Sequence, residues 1–101
     1  MLAEFSVVPL GKGESVSQYV AECLKIVDGS GISYKINPMA TVLEGEYGEV
    51  MEVIGKCHAR VLELSSRVIT TIRIDDRKGT ASMLETKVES VEKKLGKKLR
   101  K

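Results

Sequence analysis

The stretch Ile32-Ser33-Tyr34-Lys35-Ile36-Asn37-Pro38-Met39-Ala40-Thr41-Val42-Leu43-Glu44, followed by Gly45-Glu46-Tyr47-Gly48, decides how the chain is read. Ile32, Tyr34 and Ile36 alternate with Ser33, Lys35 and Asn37, the period-two pattern of a half-buried strand. Asn37-Pro38 interrupts it, because proline has no N–H for a ladder and restricts the residue before it. A second short strand is expected over Ala40 to Glu44. Two adjacent strands with a helical pattern on either side imply a small α+β sheet. The same stretch carries two candidate functional residues, Thr41 and Glu44.

Working outward toward the N-terminus, Leu2 to Val8 alternates as a strand, with Ala3, Phe5 and Val7 on one face and Leu2, Glu4, Ser6 and Val8 on the other. Pro9 and Gly11-Lys12-Gly13 end it. Ser15 is the expected cap of a first helix, with Gln18 completing a capping box. Val16, Tyr19, Val20, Cys23, Leu24 and Val27 form its apolar stripe, and Asp28-Gly29-Ser30-Gly31 closes it. Toward the C-terminus, Gly45 to Gly48 is a turn that starts a second helix. Its expected buried face is Val50, Met51, Ile54, Cys57, Val61 and Leu62. Ser65-Ser66 breaks that pattern. Val68, Thr70, Ile72 and Ile74 then alternate with Ile69, Thr71, Arg73 and Asp75 in a last strand, and Asp75 to Gly79 is a turn. With right-handed crossovers this order gives a ferredoxin-like βαββαβ sandwich, its helices on one sheet face and the other face open.

An additional C-terminal helix is expected from about Thr80 or Ala81 to Gly96. Ala81, Leu84, Val88, Val91 and Leu95 recur at alternating spacings of three and four, a narrow seam. The seam suits either another subunit or the chain's own domain.

The 101 residues are read as one domain, 1–101, with a basic end over 93–101. Hydrophobic residues at 43% and charged residues at 30% give an ordinary folded balance. There is no run of about 18 apolar residues, so no membrane span is expected. The opening Leu2-Ala3-Glu4-Phe5 does not resemble a secretory leader, which points to a cytoplasmic protein. Residues 1–50 carry a net charge of −4 and residues 51–101 a net +6. Much of the excess is Lys93, Lys94, Lys97, Lys98, Arg100 and Lys101, which complement a helix C-terminus. The four aromatics, Phe5, Tyr19, Tyr34 and Tyr47, make no base-stacking strand, so nucleic acid is not an expected partner. Cys23 and Cys57 are read as small buried hydrophobes, with a disulfide or a shared metal site as the alternative, and His58 beside Cys57 makes no zinc motif.

Chemistry is expected on the open sheet face. Glu4 and Ser6 of the first strand face Ile69, Thr71 and Arg73 of the last, with apolar walls from Leu2, Val8 and Ile69. Depending on register, either Thr41 or Glu44 joins them, but not both, because an odd separation along a strand sends side chains to opposite faces. Ionised Glu44 could accept N–H donors from a cationic or amidine-like ligand, and Thr41 offers a hydroxyl. Arg73 suits an anion, although Glu4 or a turn aspartate is its expected partner. No nucleophile elbow, phosphate-binding glycine loop or Cys-x-x-Cys pair occurs, so enzymatic turnover is not expected.

The phrases Val8-Pro9-Leu10-Gly11, Pro38-Met39-Ala40-Thr41-Val42-Leu43-Glu44-Gly45 and Thr70-Thr71-Ile72-Arg73-Ile74-Asp75-Asp76-Arg77 resemble the small thiamine-binding protein family over roughly residues 2 to 96. The most specific is Pro-Met-x-Thr-x-x-Glu-Gly, in which Ala40 stands where glycine is more usual. The resemblance implies a ferredoxin-like subunit that forms homodimers through its sheet and often homotetramers. It also implies non-catalytic binding or carriage of thiamine or a related pyrimidine-containing metabolite, with no cofactor beyond that ligand. Thr41 and Glu44 match the family's threonine–glutamate phrase and take a ligand-binding role by resemblance. Ser6, Met39 and Arg73 join them on geometric grounds. The competing expectation is a structural or regulatory homo-oligomer that retains no thiamine site.

Overall fold

The computed structural model describes residues 1–11 and 16–78. They form β1 (Leu2–Pro9), α1 (Ser17–Ser30), β2 (Ser33–Ile36), β3 (Thr41–Glu44), α2 (Tyr47–Leu64) and β4 (Val68–Asp75). The strands make one sheet in the order β2-β3-β1-β4, and every neighbouring pair is antiparallel. This is the ferredoxin-like βαββαβ sandwich. The expected third helix over 80–96, its Leu84–Leu95 seam and the basic end all lie outside the described residues, and the N-cap of α1 is Val16, with no side-chain cap, rather than the expected Ser15.

Register assigns every side chain to a face. β1 pairs β4 from Leu2↔Asp75 to Pro9↔Val68, and β3 from Leu2↔Glu44 to Phe5↔Thr41. Residues directly opposite one another share a face, so Ala3, Phe5 and Val7 lie with Thr41, Leu43, Thr70 and Ile72 on the helix side. Leu2, Glu4, Ser6 and Val8 share the open side with Val42, Glu44, Thr71 and Arg73. β2 continues the pattern, Tyr34 opposite Leu43 and Ile36 opposite Thr41. Tyr34 and Ile36 are nevertheless exposed, because β2 is an edge strand that the two helices do not cover.

The β2–β3 hairpin turns on Asn37-Pro38-Met39-Ala40. Asn37 N–H donates to the Ala40 carbonyl at 2.9 Å and Ala40 N–H returns to Asn37 at 3.4 Å. Pro38, with φ already fixed and no N–H to satisfy, sits at the first corner. This leaves Met39 projecting, 88% exposed. The expected strand start at Ala40 moves to Thr41, because Ala40 closes the turn.

The core lies between the helix side of the sheet and the pair α1 and α2. Tyr19, Cys23 and Val27 of α1 meet Val50, Val53, Ile54, Cys57 and Val61 of α2 over Ala3, Phe5 and Leu43. Four details depart from the periodicity. Val20 is exposed despite its place in the α1 stripe, and Leu62 likewise on α2. Val53, between Val50 and Cys57 on the helical net, is buried instead. Tyr47 and Gly48, read as a turn, belong to the first turn of α2.

α1 ends as expected, on Gly31 in the left-handed conformation at φ 79°. Ser30 reinforces the end, its hydroxyl donating to the Val27 carbonyl and accepting from Ile32 N–H. A Cβ added at Gly31 would meet no atom within 4 Å, so Gly31→Ala carries only the backbone cost of a left-handed L-residue. Urea denaturation should show a loss of about 1–2 kcal/mol with an unchanged m-value. Gly31→Asn should recover part of it, asparagine tolerating this conformation better. A neutral Gly31→Ala would refute the assigned backbone geometry.

Candidate functional site

β1 is eight residues long and β3 is four, so the β1–β3 ladder stops at Phe5↔Thr41 while β1 runs on to Pro9. The hairpin turn closes just there, leaving a notch beside Ser6, Val7 and Val8. The N-terminal half of α1 passes over this notch, and together they enclose a cleft of about 220 Å³. Val7, Val16, Val20 and Cys23 line its α1 and β1 sides, and Ile36, Pro38 and Met39 its hairpin side. Asn37 and Thr41 are the polar residues on its hairpin side, and Ser6, on the other sheet face, borders it. No charged side chain is among the described residues that line it. The arrangement is a mostly apolar wall with a few polar residues at its border, the pattern of a small-molecule site.

The open face carries two depressions of its own. A depression of about 130 Å³ is lined by Glu4, Ser6, Asn37, Met39, Thr71 and Arg73. Next to it, Leu2, Glu4, Val42, Arg73 and Asp75 line another. Arg73 Nη1 lies 3.9 Å from Glu4 Oε1, the partner expected for it, and the two side chains are 83% and 45% exposed. A long, solvated pair of this kind contributes little to stability.

The five expected site residues therefore divide. Thr41 lines the cleft, Arg73 lines the open-face depressions, and Ser6 and Met39 border both. Glu44, opposite Leu2 and Ser33 at the far end of β3, is on the open face and lines none of these hollows. The register thus answers the alternative left open above: Glu44, and not Thr41, joins Glu4, Ser6 and Arg73. Asn37, Val16, Val20 and Cys23 are cleft residues that periodicity could only assign to a turn or to the core. The signal for Asn37 was its position before Pro38 at the hairpin corner.

Away from the cleft, the polar contacts are structural. His58 Nδ1 and Thr70 Oγ1 lie 2.7 Å apart and tie α2 to β4. Arg60 joins the helices, its Nε donating to Glu22 at 3.3 Å and its Nη1 to Glu63 at 3.0 Å. The Arg60 hydrogen bond, with the Lys25 charge adding to it, holds the Glu22 carboxyl below the usual 4.5. Among the described residues no cluster of three or more His, Cys, Asp or Glu is arranged to hold a metal ion. Nor is any of their helices long and apolar enough to cross a membrane.

Comparison with known proteins places this architecture. A family model described as thiamine-binding protein matches residues 3–92. The UPF0045 protein MJ1052 of Methanocaldococcus jannaschii is 35% identical, over 90% of this chain and 91% of its own. A UPF0045 protein of Methanothermobacter thermautotrophicus is 42% identical, over 92% of this chain and 97% of its own. The crystal structure of hypothetical protein MJ1052 superposes with a TM-score of 0.84 at 36% identity, covering 89% of this chain and 93% of that one. A Bacillus cereus structure described as a domain of unknown function superposes at 0.77 with 32% identity, covering 86% and 85%.

Proposed function

The chain belongs to the thiamine-binding protein family, and from that premise we propose that it binds or carries thiamine, or a related pyrimidine-containing metabolite, without turning it over. The observation that carries this reading is the notch where β1 outruns β3, roofed by α1. A flat heteroaromatic ring fits between the valine wall of α1 and the hairpin. At its edge, Thr41 and Ser6 can exchange hydrogen bonds with ring nitrogens and an exocyclic amine, as can Asn37. Met39, unbranched and polarizable, adapts to the ring's outer face. Glu44 and Arg73, on the open face, suit a ligand's charged substituents only if those reach around the hairpin.

The single domain 1–101 acts in this reading as a cytoplasmic binder, and the free, buried Cys23 and Cys57 suit a reducing compartment. Val8 and Ile69, 40% and 48% exposed and directly opposite each other on the open face, favour a second copy of the chain as the partner there. That observation also supports the alternative, a structural or regulatory homo-oligomer without a thiamine site.

Titration calorimetry with thiamine separates the two. Saturable heat approaching one thiamine per chain is expected. No binding by calorimetry, and none by ligand-observed magnetic resonance, would overturn the thiamine reading and leave the oligomer.

A further inference from the structure

Cys23 and Cys57 are the only cysteines in the chain, they lie 34 residues apart, and the fold brings them together at the α1–α2 contact. Cys57 Sγ stands 3.6 Å from the Cys23 carbonyl oxygen, so the thiol of one cysteine lies against the backbone of the other. Cys57 is wholly buried. Cys23 is 8% exposed and is one of the residues that line the cleft described above. One sulfur can thus be reached by a small solute, and the other waits behind it. We propose that this pair is a redox-active dithiol, in which a small hydroperoxide entering the cleft oxidises Cys23 and Cys57 then closes a disulfide between α1 and α2.

The asymmetry suits those roles. A hydrogen bond from Cys57 favours the Cys23 thiolate, and this outweighs burial, so Cys23 is the first to lose its proton. The hydrogen bond to Cys23, and then burial, hold Cys57 protonated. The Cys23 thiolate attacks one oxygen of the peroxide. The O–O bond breaks, the leaving hydroxide takes up the proton Cys23 released, and Cys23 becomes a sulfenic acid. The Cys57 sulfur attacks the Cys23 sulfur, the S–O bond breaks, and hydroxide leaves as water with the Cys57 proton. Each sulfur gives up one electron, and the two together reduce the peroxide. A thiol reductant reverses the bridge. Nothing in this depends on which metabolite occupies the cleft.

The test uses the full, reduced chain and hydrogen peroxide, read by intact mass after alkylation in denaturant. The folded protein should lose two hydrogens, about 2 Da, block both thiols to alkylation and recover them with dithiothreitol. Bridge formation should be at least about tenfold faster in the folded protein than in the chain held unfolded in urea, because the fold already brings the two cysteines together. Cys57→Ala should instead accumulate a dimedone adduct on Cys23. A folded rate no faster than the unfolded one, or bridges only between chains, would overturn the proposal, whether or not Cys57→Ala folds.

Discussion

Replacing Leu43 with alanine is expected to destabilise the protein by about 3–5 kcal/mol, the upper part of the range for a buried leucine. Leu43 is fully buried on the helix side of β3, directly opposite Ala3 on one neighbour and Tyr34 on the other. The cost of such a truncation depends on how far the surroundings can collapse. Here they cannot move far. Ladders on both sides hold the β3 backbone, and the adjacent Ala3 has no side chain long enough to fill the space. For a domain whose whole stability is about 5–15 kcal/mol, that loss is a large fraction. Thermal unfolding should move down by at least about 10 °C. A shift equivalent to less than about 1.5 kcal/mol would mean that β3 is not clamped between its neighbours.

The largest effect on binding is expected from Val20→Phe. Val20 lines the cleft yet is 43% exposed, so a phenyl ring there has room toward solvent and should change stability by no more than about 0.5 kcal/mol. The same ring fills part of a space of only about 220 Å³. Thiamine affinity measured by calorimetry should fall at least tenfold, about 1.4 kcal/mol. Glu44→Gln, on the opposite face, should leave it within about twofold. The reverse pattern, Val20→Phe harmless and Glu44→Gln damaging, would move the ligand to the open face and give Glu44 the cation-binding role that the family phrase implies.

The strand faces were legible because alternation reports burial directly. Ala3, Phe5 and Val7 were separable from Glu4 and Ser6 without coordinates. Ladder length was not legible. That β1 outruns β3 by half its length depends on where the hairpin turns, and Asn37-Pro38 marks the corner without saying which residues remain paired. The cleft follows from that mismatch, so Val20 looked like core although it stands at an opening. Thr41 and Glu44 illustrate the same limit. A shared phrase keeps them close in sequence, but three steps along a strand send them to opposite faces, and only the register says which face holds which.

The sheet order also sets a timetable for the chain during its synthesis. β1, the first of these four strands to leave the ribosome, is placed between β3 and β4, and its longer ladder is with the last strand described. About 60 residues separate the end of β1 from the start of β4, roughly 3–12 seconds of translation. In that interval β1 can be held only by β3, through Leu2 to Phe5, and Ser6 to Pro9 have no partner strand. The segment bordering the cleft is therefore the last part of the sheet to be secured on the nascent chain. Until β4 arrives it is an open edge, where a chaperone or a neighbouring nascent chain can pair.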